Sequence, residues 1–277
     1  MPTILSLSSQ VAYGHVGHSA GVFAWQRLGI DVIALPTIVL SNRPDYPRVA
    51  GFRAEPTRLN DMLGALEANG HLDRLDAVFT GYMPSAAHVE TAALWLRKLK
   101  AQRPGLRIMC DPILGDEPGG LYIPQAAAEA LRDQLIPLAD IAKPNRFELG
   151  WLTGETVVSR ERAYAAAKTL APMTLVTSVP EPRGQLSNLL IARDSGWLTE
   201  VVRRKSVPHG SGDLMAALFL GHLLRSRLPA EALSLATAGV EVVVEASLGS
   251  DELRLVESQE RWPTPSPWPL RQLELYR

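Results

Sequence analysis

The chain has 277 residues, of which 46% are hydrophobic and 21% charged, a globular mix suited to one large α/β domain or two small ones. Lys and Arg number 28 against 29 Asp and Glu, a net charge of -1, so no basic surplus exists to neutralise nucleic-acid phosphates. The single cysteine, Cys110, excludes an internal disulfide and a Cys-rich zinc site and fits a reducing compartment.

Met1 to Leu7 lacks both a basic region and a long apolar stretch, so no secretory signal is expected. Thr3 to Ser8 reads as a buried strand, Ser19 to Leu28 as a helix and Val32 to Leu40 as the next strand. Leu59 to Ala68 is helical, Asp76 to Thr80 a strand, Ala86 to Lys100 an amphipathic helix and Arg107 to Cys110 a strand. Ala126 to Leu135 is helical, Ile141-Ala142 a short strand, and Arg146 to Leu152 a helix stopped by Gly154. Arg162 to Leu170 is helical and Thr174 to Thr177 a strand. Between Leu186 and Val202, two strand-like runs flank Asp194-Ser195-Gly196, a hairpin signal. Helices follow at Leu214 to Leu224, Glu231 to Ser247 and Asp251 to Gln259. The apolar run Leu214 to Leu224 is too short to span a bilayer, so no membrane role is expected and the cytoplasm is the expected location. Prolines 263, 265, 267 and 269 make the tail an extended strap.

Strand–helix alternation of this kind means a mostly parallel sheet covered on both faces. The chain has neither repeat nor linker, so residues 1–277 are expected to form a single domain. Ligands in such sheets bind beyond the carboxyl ends of the strands. Ser8-Ser9, Ser41-Asn42, Gly81-Tyr82, Asp111-Pro112, Pro144-Asn145 and Thr177-Ser178 all fall at those ends.

The most telling segment is Gly210-Ser211-Gly212-Asp213, which opens a helix. Its glycines bare backbone N–H groups, and the helix N-terminus carries about half a positive charge. Together they form an anion site, and Asp213 beside it can accept a proton from an alcohol, as phosphoryl transfer requires. The plainer alternative is a glycine turn with an acidic helix start.

Asp111 and Asp116 flank a proline turn, where carboxylates suit magnesium held through water, although Asp116 reads equally as an Asp that caps the loop. Asn145 and Glu148 form either a capping box or a nucleotide and magnesium pair. Lys143 is either a cation for the same phosphates or a solvated side chain. Arg203-Arg204-Lys205 reads as a solvated strand end. His15 and His18 have metal-like spacing but no third ligand, and Gly14 and Gly17 do not complete a dinucleotide fingerprint, which disfavours a nicotinamide oxidoreductase.

Over nearly its whole length the chain resembles the pyridoxal kinases of the ribokinase superfamily. The resemblance is carried by Ser9, by Tyr13-Gly14-His15-Val16-Gly17-His18-Ser19-Ala20, by Gln26 to Val32, Ser41-Asn42 and Thr80-Gly81-Tyr82. Cys110-Asp111-Pro112, Gly115-Asp116, Pro144-Asn145, Phe147-Glu148-Leu149, Leu152-Thr153-Gly154 and Gly210 to Asp213 extend it. It implies a ribokinase-like three-layer α/β sandwich without a separate lid domain, a homodimer, and use of ATP and Mg2+ to phosphorylate the 5′-hydroxymethyl group of pyridoxal, with pyridoxine and pyridoxamine as further acceptors. By position, Ser9, Pro44, Asp45 and Tyr82 would surround the acceptor and Asp213 would be the base. The N–H groups of Gly210, Ser211 and Gly212 would hold the transferred phosphoryl. Asp111 and Glu148 would organise magnesium through water, and Lys143, Asn145 and Thr177 would serve the nucleotide. Two positions depart from the family: Arg43-Pro44 replaces the usual His-Thr in the loop expected to face the ring, and Lys143 replaces a small residue. A kinase of hydroxymethylpyrimidine and a catalytically idle B6-binding protein are the competing expectations.

Overall fold

A computed structural model describes residues 1–193 and 195–273, and in it the strand–helix alternation becomes a ten-stranded sheet with helices on both faces. The first half contains β1 (Thr3–Val11), α1 (His18–Arg27), β2 (Asp31–Leu40), β3 (Gly51–Arg53), α2 (Pro56–Ala68), β4 (Ala77–Thr80), α3 (Ala86–Gln102) and β5 (Arg107–Cys110). A small hairpin, β6 (Gly115–Asp116) and β7 (Gly120–Leu121), precedes α4 (Gln125–Ala130), β8 (Ile141–Ala142), α5 (Arg146–Thr153), α6 (Arg160–Leu170) and β9 (Met173–Glu181). Then come β10 (Gln185–Ala192), β11 (Ser195–Val202), α7 (Ser211–Leu224), α8 (Pro229–Ala246) and β12 (Arg271–Gln272).

The strand order is β12-β11-β10-β9-β8-β5-β4-β1-β2-β3. From β9 to β2 every pairing is parallel, while both flanks are antiparallel. Alternation along each strand sorts the core. Ile4, Phe79, Met109, Leu175 and Leu190 face α1, α7 and α8. Leu5, Leu7, Val78, Ile108 and Cys110 face α2, α3 and α4. Val176, Leu189 and Ile191 meet α5 and α6 on that second side. Trp25 ties the first side together: it is 1% exposed, its indole N–H donates to the Ala217 carbonyl at 2.9 Å, and it meets Phe79 edge-on at 5.2 Å.

Three expectations need correction. Residues 251–259 are a chain of turns, not a helix. Their carbonyls accept side-chain donors instead, Asp251 from Arg43 and Leu255 from the Trp262 indole. The helix expected to reach Leu135 is regular only to Ala130, and widens over 131–135 before Pro137, which has no N–H to donate. The sheet also gains β3 and β12, two short and exposed edge strands without an apolar rhythm to betray them. The hairpin and the proline strap are found as read, with Asp194 outside the described residues. Among the described residues no helix is long and apolar enough to cross a membrane.

Trp25→Ala removes that buried ring and its hydrogen bond together. A loss of about 3–5 kcal/mol in urea-unfolding stability is expected.

Candidate active site

The parallel strands continue as a ladder past their regular ends. The Asp111 N–H donates to the Thr80 carbonyl at 2.8 Å, that of Lys143 to Cys110 at 2.9 Å, and that of Thr177 to Pro144 at 3.0 Å. This stitching lines up Asp111, Lys143 and Thr177 along one edge, where the sequence placed them.

Lys143 is the surprise of the row. It is not solvated: it is 4% exposed, and its Nζ lies 3.2 Å from Oδ2 of Asp111, itself 2% exposed. Burial alone would pull the Lys143 ammonium down, but Asp111 and Glu148 hold its pKa above the ordinary value, with Asp213 adding to the effect. Burial raises Asp111 well above the usual carboxylate range, against the pull of Lys143, and the nearby Glu148 and Asp213 raise it further. Three carboxylates thus share one ammonium.

Glu148 is 3% exposed and its carboxylate accepts the N–H groups of Leu114 and Asn145, both at 2.8 Å. Burial raises its pKa, opposed by Lys143 and then by those amides. The Asn145 side chain accepts from Glu148 N–H at 2.9 Å and donates to the Gly115 carbonyl at 2.8 Å. The capping box is therefore realised, and it serves the charge cluster by aiming Glu148.

The two glycines of the turn have different physical duties. Gly210 has φ 105°, and a Cβ there would lie 1.9 Å from the His15 carbonyl oxygen, so this glycine permits close packing. A Cβ on Gly212 would meet only the Lys143 Nζ, at 3.9 Å, among the described residues. The space before the exposed Gly212 is thus open, faced by an ammonium and by the N-terminus of the 14-residue helix α7. That is an anion site of two independent parts. Half-buried Asp213 stands in the first turn of α7. Desolvation raises its pKa, while the Gly17 N–H, Lys143 and His209 favour its charged form.

Among the residues expected to surround the acceptor, Ser9 packs against the turn after β1: a Cβ on Gly17 would lie 2.3 Å from its Oγ. Tyr82 is anchored by its backbone, its N–H donating to Ser8 Oγ at 3.3 Å and its carbonyl accepting from Thr37 Oγ1 at 2.7 Å. Pro44 and Asp45 lie exposed in the loop after β2. Arg43 differs from the expectation of a charge facing the ring. It turns back, 7% exposed, and donates to the Asp251 carbonyl at 2.9 Å and to Asp45 Oδ1 at 3.1 Å. Sequence reasoning missed its other partner, Glu252, and gave no role to His209, whose Nε2 stands 3.9 Å from Asp45 Oδ2. Nothing near Glu252 in the sequence marks it.

Other candidates resolve structurally. His18 is buried, bonded to Ser6 Oγ at 2.9 Å, and burial lowers it to about 4. Burial pushes the Cys110 thiol up to about 12, so it is inert. Asp116 is hydrogen-bonded by Tyr122, and Arg204 pairs with Glu241 at 2.6 Å. No three His, Cys, Asp or Glu side chains among the described residues converge to ligate a metal directly. The hard oxygens of Asp111 and Glu148, with negative charge left over after Lys143, instead fit a magnesium ion held through water.

A family model described as phosphomethylpyrimidine kinase matches residues 59–254. The chain is 36% identical over 271 residues to pyridoxal kinase PdxY of Leifsonia xyli subsp. xyli, covering 95% of this chain and 96% of that protein. It is 37% identical over 236 residues to the pyridoxine/pyridoxal/pyridoxamine kinase of Bordetella bronchiseptica, covering 83% of each. The structure superposes on pyridoxal kinase from Leishmania donovani in complex with ADP and pyridoxamine with a TM-score of 0.93, at 28% identity, over 99% of this chain and 100% of that one.

Lys143→Met keeps the bulk and deletes the charge, leaving buried carboxylates uncompensated. Stability in urea is expected to fall by about 3–5 kcal/mol, with Asp111→Asn in the same chain restoring part of it. Unchanged stability in the single variant would contradict the buried pair.

Proposed function

The chain belongs to the pyridoxal kinases, and from that membership we propose how its own residues transfer the γ-phosphoryl group of ATP to the 5′-hydroxymethyl group of a B6 vitamer. The observation that carries the reading is the open space before Gly212, bounded by the Lys143 ammonium and the start of α7. Among the described residues only the Lys143 Nζ comes near a Cβ placed there, and that ammonium and the helix start favour an anion.

The vitamer hydroxyl gives its proton to Asp213 as its oxygen attacks phosphorus and ADP leaves. The N–H groups of Ser211 and Gly212 hold the charge on the phosphoryl oxygens, with Lys143 opposite them. Gly210 lets this turn pack on His15. Magnesium, when bound, would supply charge neutralisation at the phosphates. Asp111 and Glu148 would hold it through water, and Asn145 keeps Glu148 aimed. Thr177, brought alongside Asn145 at the strand ends, serves the nucleotide phosphates. Ser9, Tyr82 and the Pro44-Asp45 loop enclose the acceptor ring.

The raised pKa of Asp213 suits it to the work, because a base is most useful when its pKa approaches the operating pH. A placed base also argues against an idle binder. The family model is described by a pyrimidine substrate, phosphomethylpyrimidine, which supports testing a pyrimidine alcohol, hydroxymethylpyrimidine, as the second acceptor. The same membership supports action of residues 1–277 as one catalytic domain, as a homodimer, in the cytoplasm.

The test is ATP turnover with magnesium against pyridoxal, pyridoxine, pyridoxamine and hydroxymethylpyrimidine in parallel. Turnover of a vitamer is expected, and turnover of the pyrimidine alone would overturn the acceptor. Asp213→Asn should lower kcat by about 10²–10⁴-fold with ATP affinity retained, since only the base is removed. Near-normal turnover would refute the role given to Asp213. Gly212→Val should block transfer by filling the anion space, and an unchanged rate there would refute the cradle.

A further inference from the structure

We propose that Glu252 and Arg43 are positioning residues that latch the acceptor-covering loop to the phosphoryl-transfer turn. Their effect falls on acceptor binding, so the inference rests on the kinase reading above. Neither residue touches the reacting groups. Both lie where three segments, far apart in sequence, meet.

Glu252 is the hub. Its side chain is 14% exposed. Oε1 accepts the Tyr46 hydroxyl at 2.9 Å and lies 3.5 Å from Arg43 Nη1. Oε2 receives the His15 N–H at 3.4 Å, and it occupies the space that a side chain on Gly14 would need, 2.6 Å from the Cβ position. One carboxylate therefore holds both the loop after β2 and the turn after β1.

Arg43 completes the latch. Its Nη1 holds the Asp251 carbonyl and its Nε holds Asp45, while its guanidinium lies 5.0 Å from the centre of the Tyr46 ring. An arginine with so many directed partners fixes the loop's register better than a flexible ammonium, which keeps the charge but not the directed bonds. From there two routes reach the chemistry. Asp45 stands 3.9 Å from His209, the residue just before the Gly210 turn. The His15 carbonyl and Leu253 pack directly on Gly210, at 1.9 Å and 3.0 Å from its Cβ position. The loop over the acceptor and the base-bearing turn are thus fastened to the same short segment, 251–253.

Removing the latch loosens the acceptor loop and leaves the nucleotide edge of the site, Asp111, Lys143 and Thr177, untouched. Glu252→Gln keeps shape and deletes charge. It should raise the acceptor KM about tenfold with the ATP KM unchanged. Arg43→Gln should do the same, and the double variant should lose no more than the worse single, because both break one unit. Arg43→Lys should recover part of the loss. Damage that is merely structural would instead lower the active fraction and leave both KM values alone. Tyr46→Phe removes one hydrogen bond from the hub and serves if Glu252→Gln does not fold; a rise in acceptor KM of about two- to tenfold is expected, the range that one such bond spans.

Wild-type enzyme is run beside the variants on vitamers and on hydroxymethylpyrimidine, and the acceptor KM is read on whichever is turned over. Failure of wild type on every acceptor would count against the kinase reading and not against the latch. Hydrogen exchange in the acceptor-free protein tests the latch without any turnover: Glu252→Gln should speed exchange in the peptides covering residues 13–16 and 42–50. Unaltered exchange there in a folded Glu252→Gln protein, or independent multiplying effects in the Arg43 and Glu252 pair, would overturn the proposal.

Discussion

The ion pair between Lys143 and Asp111 is the constraint on which the site depends. Two opposite charges, each almost wholly buried, sit 3.2 Å apart at the ends of adjacent strands. Such a pair is a poor source of stability, because desolvation offsets most of the attraction. It makes sense as electrostatic preparation. Glu148 and Asp213 add two more carboxylates to the cluster, and one ammonium cannot balance all three. The surplus suits a divalent cation, while the ammonium itself faces the empty space before Gly212. In the proposed reaction, cation and anion would be received side by side.

The fold supplies this arrangement through features that are individually ordinary. Parallel strands β4, β5, β8 and β9 end together, and the ladder carried past their ends fixes the spacing of Asp111, Lys143 and Thr177. Helix α7 is buried along most of its length against α1 and α8, so its exposed N-terminus is held rigidly at the same edge. A helix start that cannot move is a better phosphate ligand than a loop, because its N–H groups need no reorganisation when charge arrives. The side proposed to take the acceptor is built otherwise, from loops joined through Arg43 and Glu252. Loops admit and release a substrate, whereas the strand ends hold charge in place.

Much of this was legible in the sequence, for a physical reason in each case. Gly212 and Asp213 were readable because a glycine turn opening a helix is a local signal. The position of Asp111 and Thr177 at the strand ends was readable because the apolar runs stop there, and strand ends in parallel sheets are where ligands bind. Asn145 and Glu148 were readable as a capping box, and they are one. The burial of Lys143 was not readable, since it depends on neighbours from β5 and α7, distant in sequence. Glu252 was hidden by a false expectation: a helix over 251–259 would have tied up the Asp251 carbonyl that now accepts from Arg43. Edge strand β3 was hidden because all three of its residues are exposed and carry no apolar alternation.

Phosphorus NMR of a reaction containing the enzyme, ATP, magnesium and pyridoxal tests the central claim most directly. Transfer onto a hydroxymethyl group predicts one new phosphomonoester resonance, split by the adjacent methylene protons, growing as ADP grows. ADP accompanied only by inorganic phosphate would contradict it, for then the cluster around Lys143 and Gly212 would activate ATP without delivering the phosphoryl group to the vitamer alcohol.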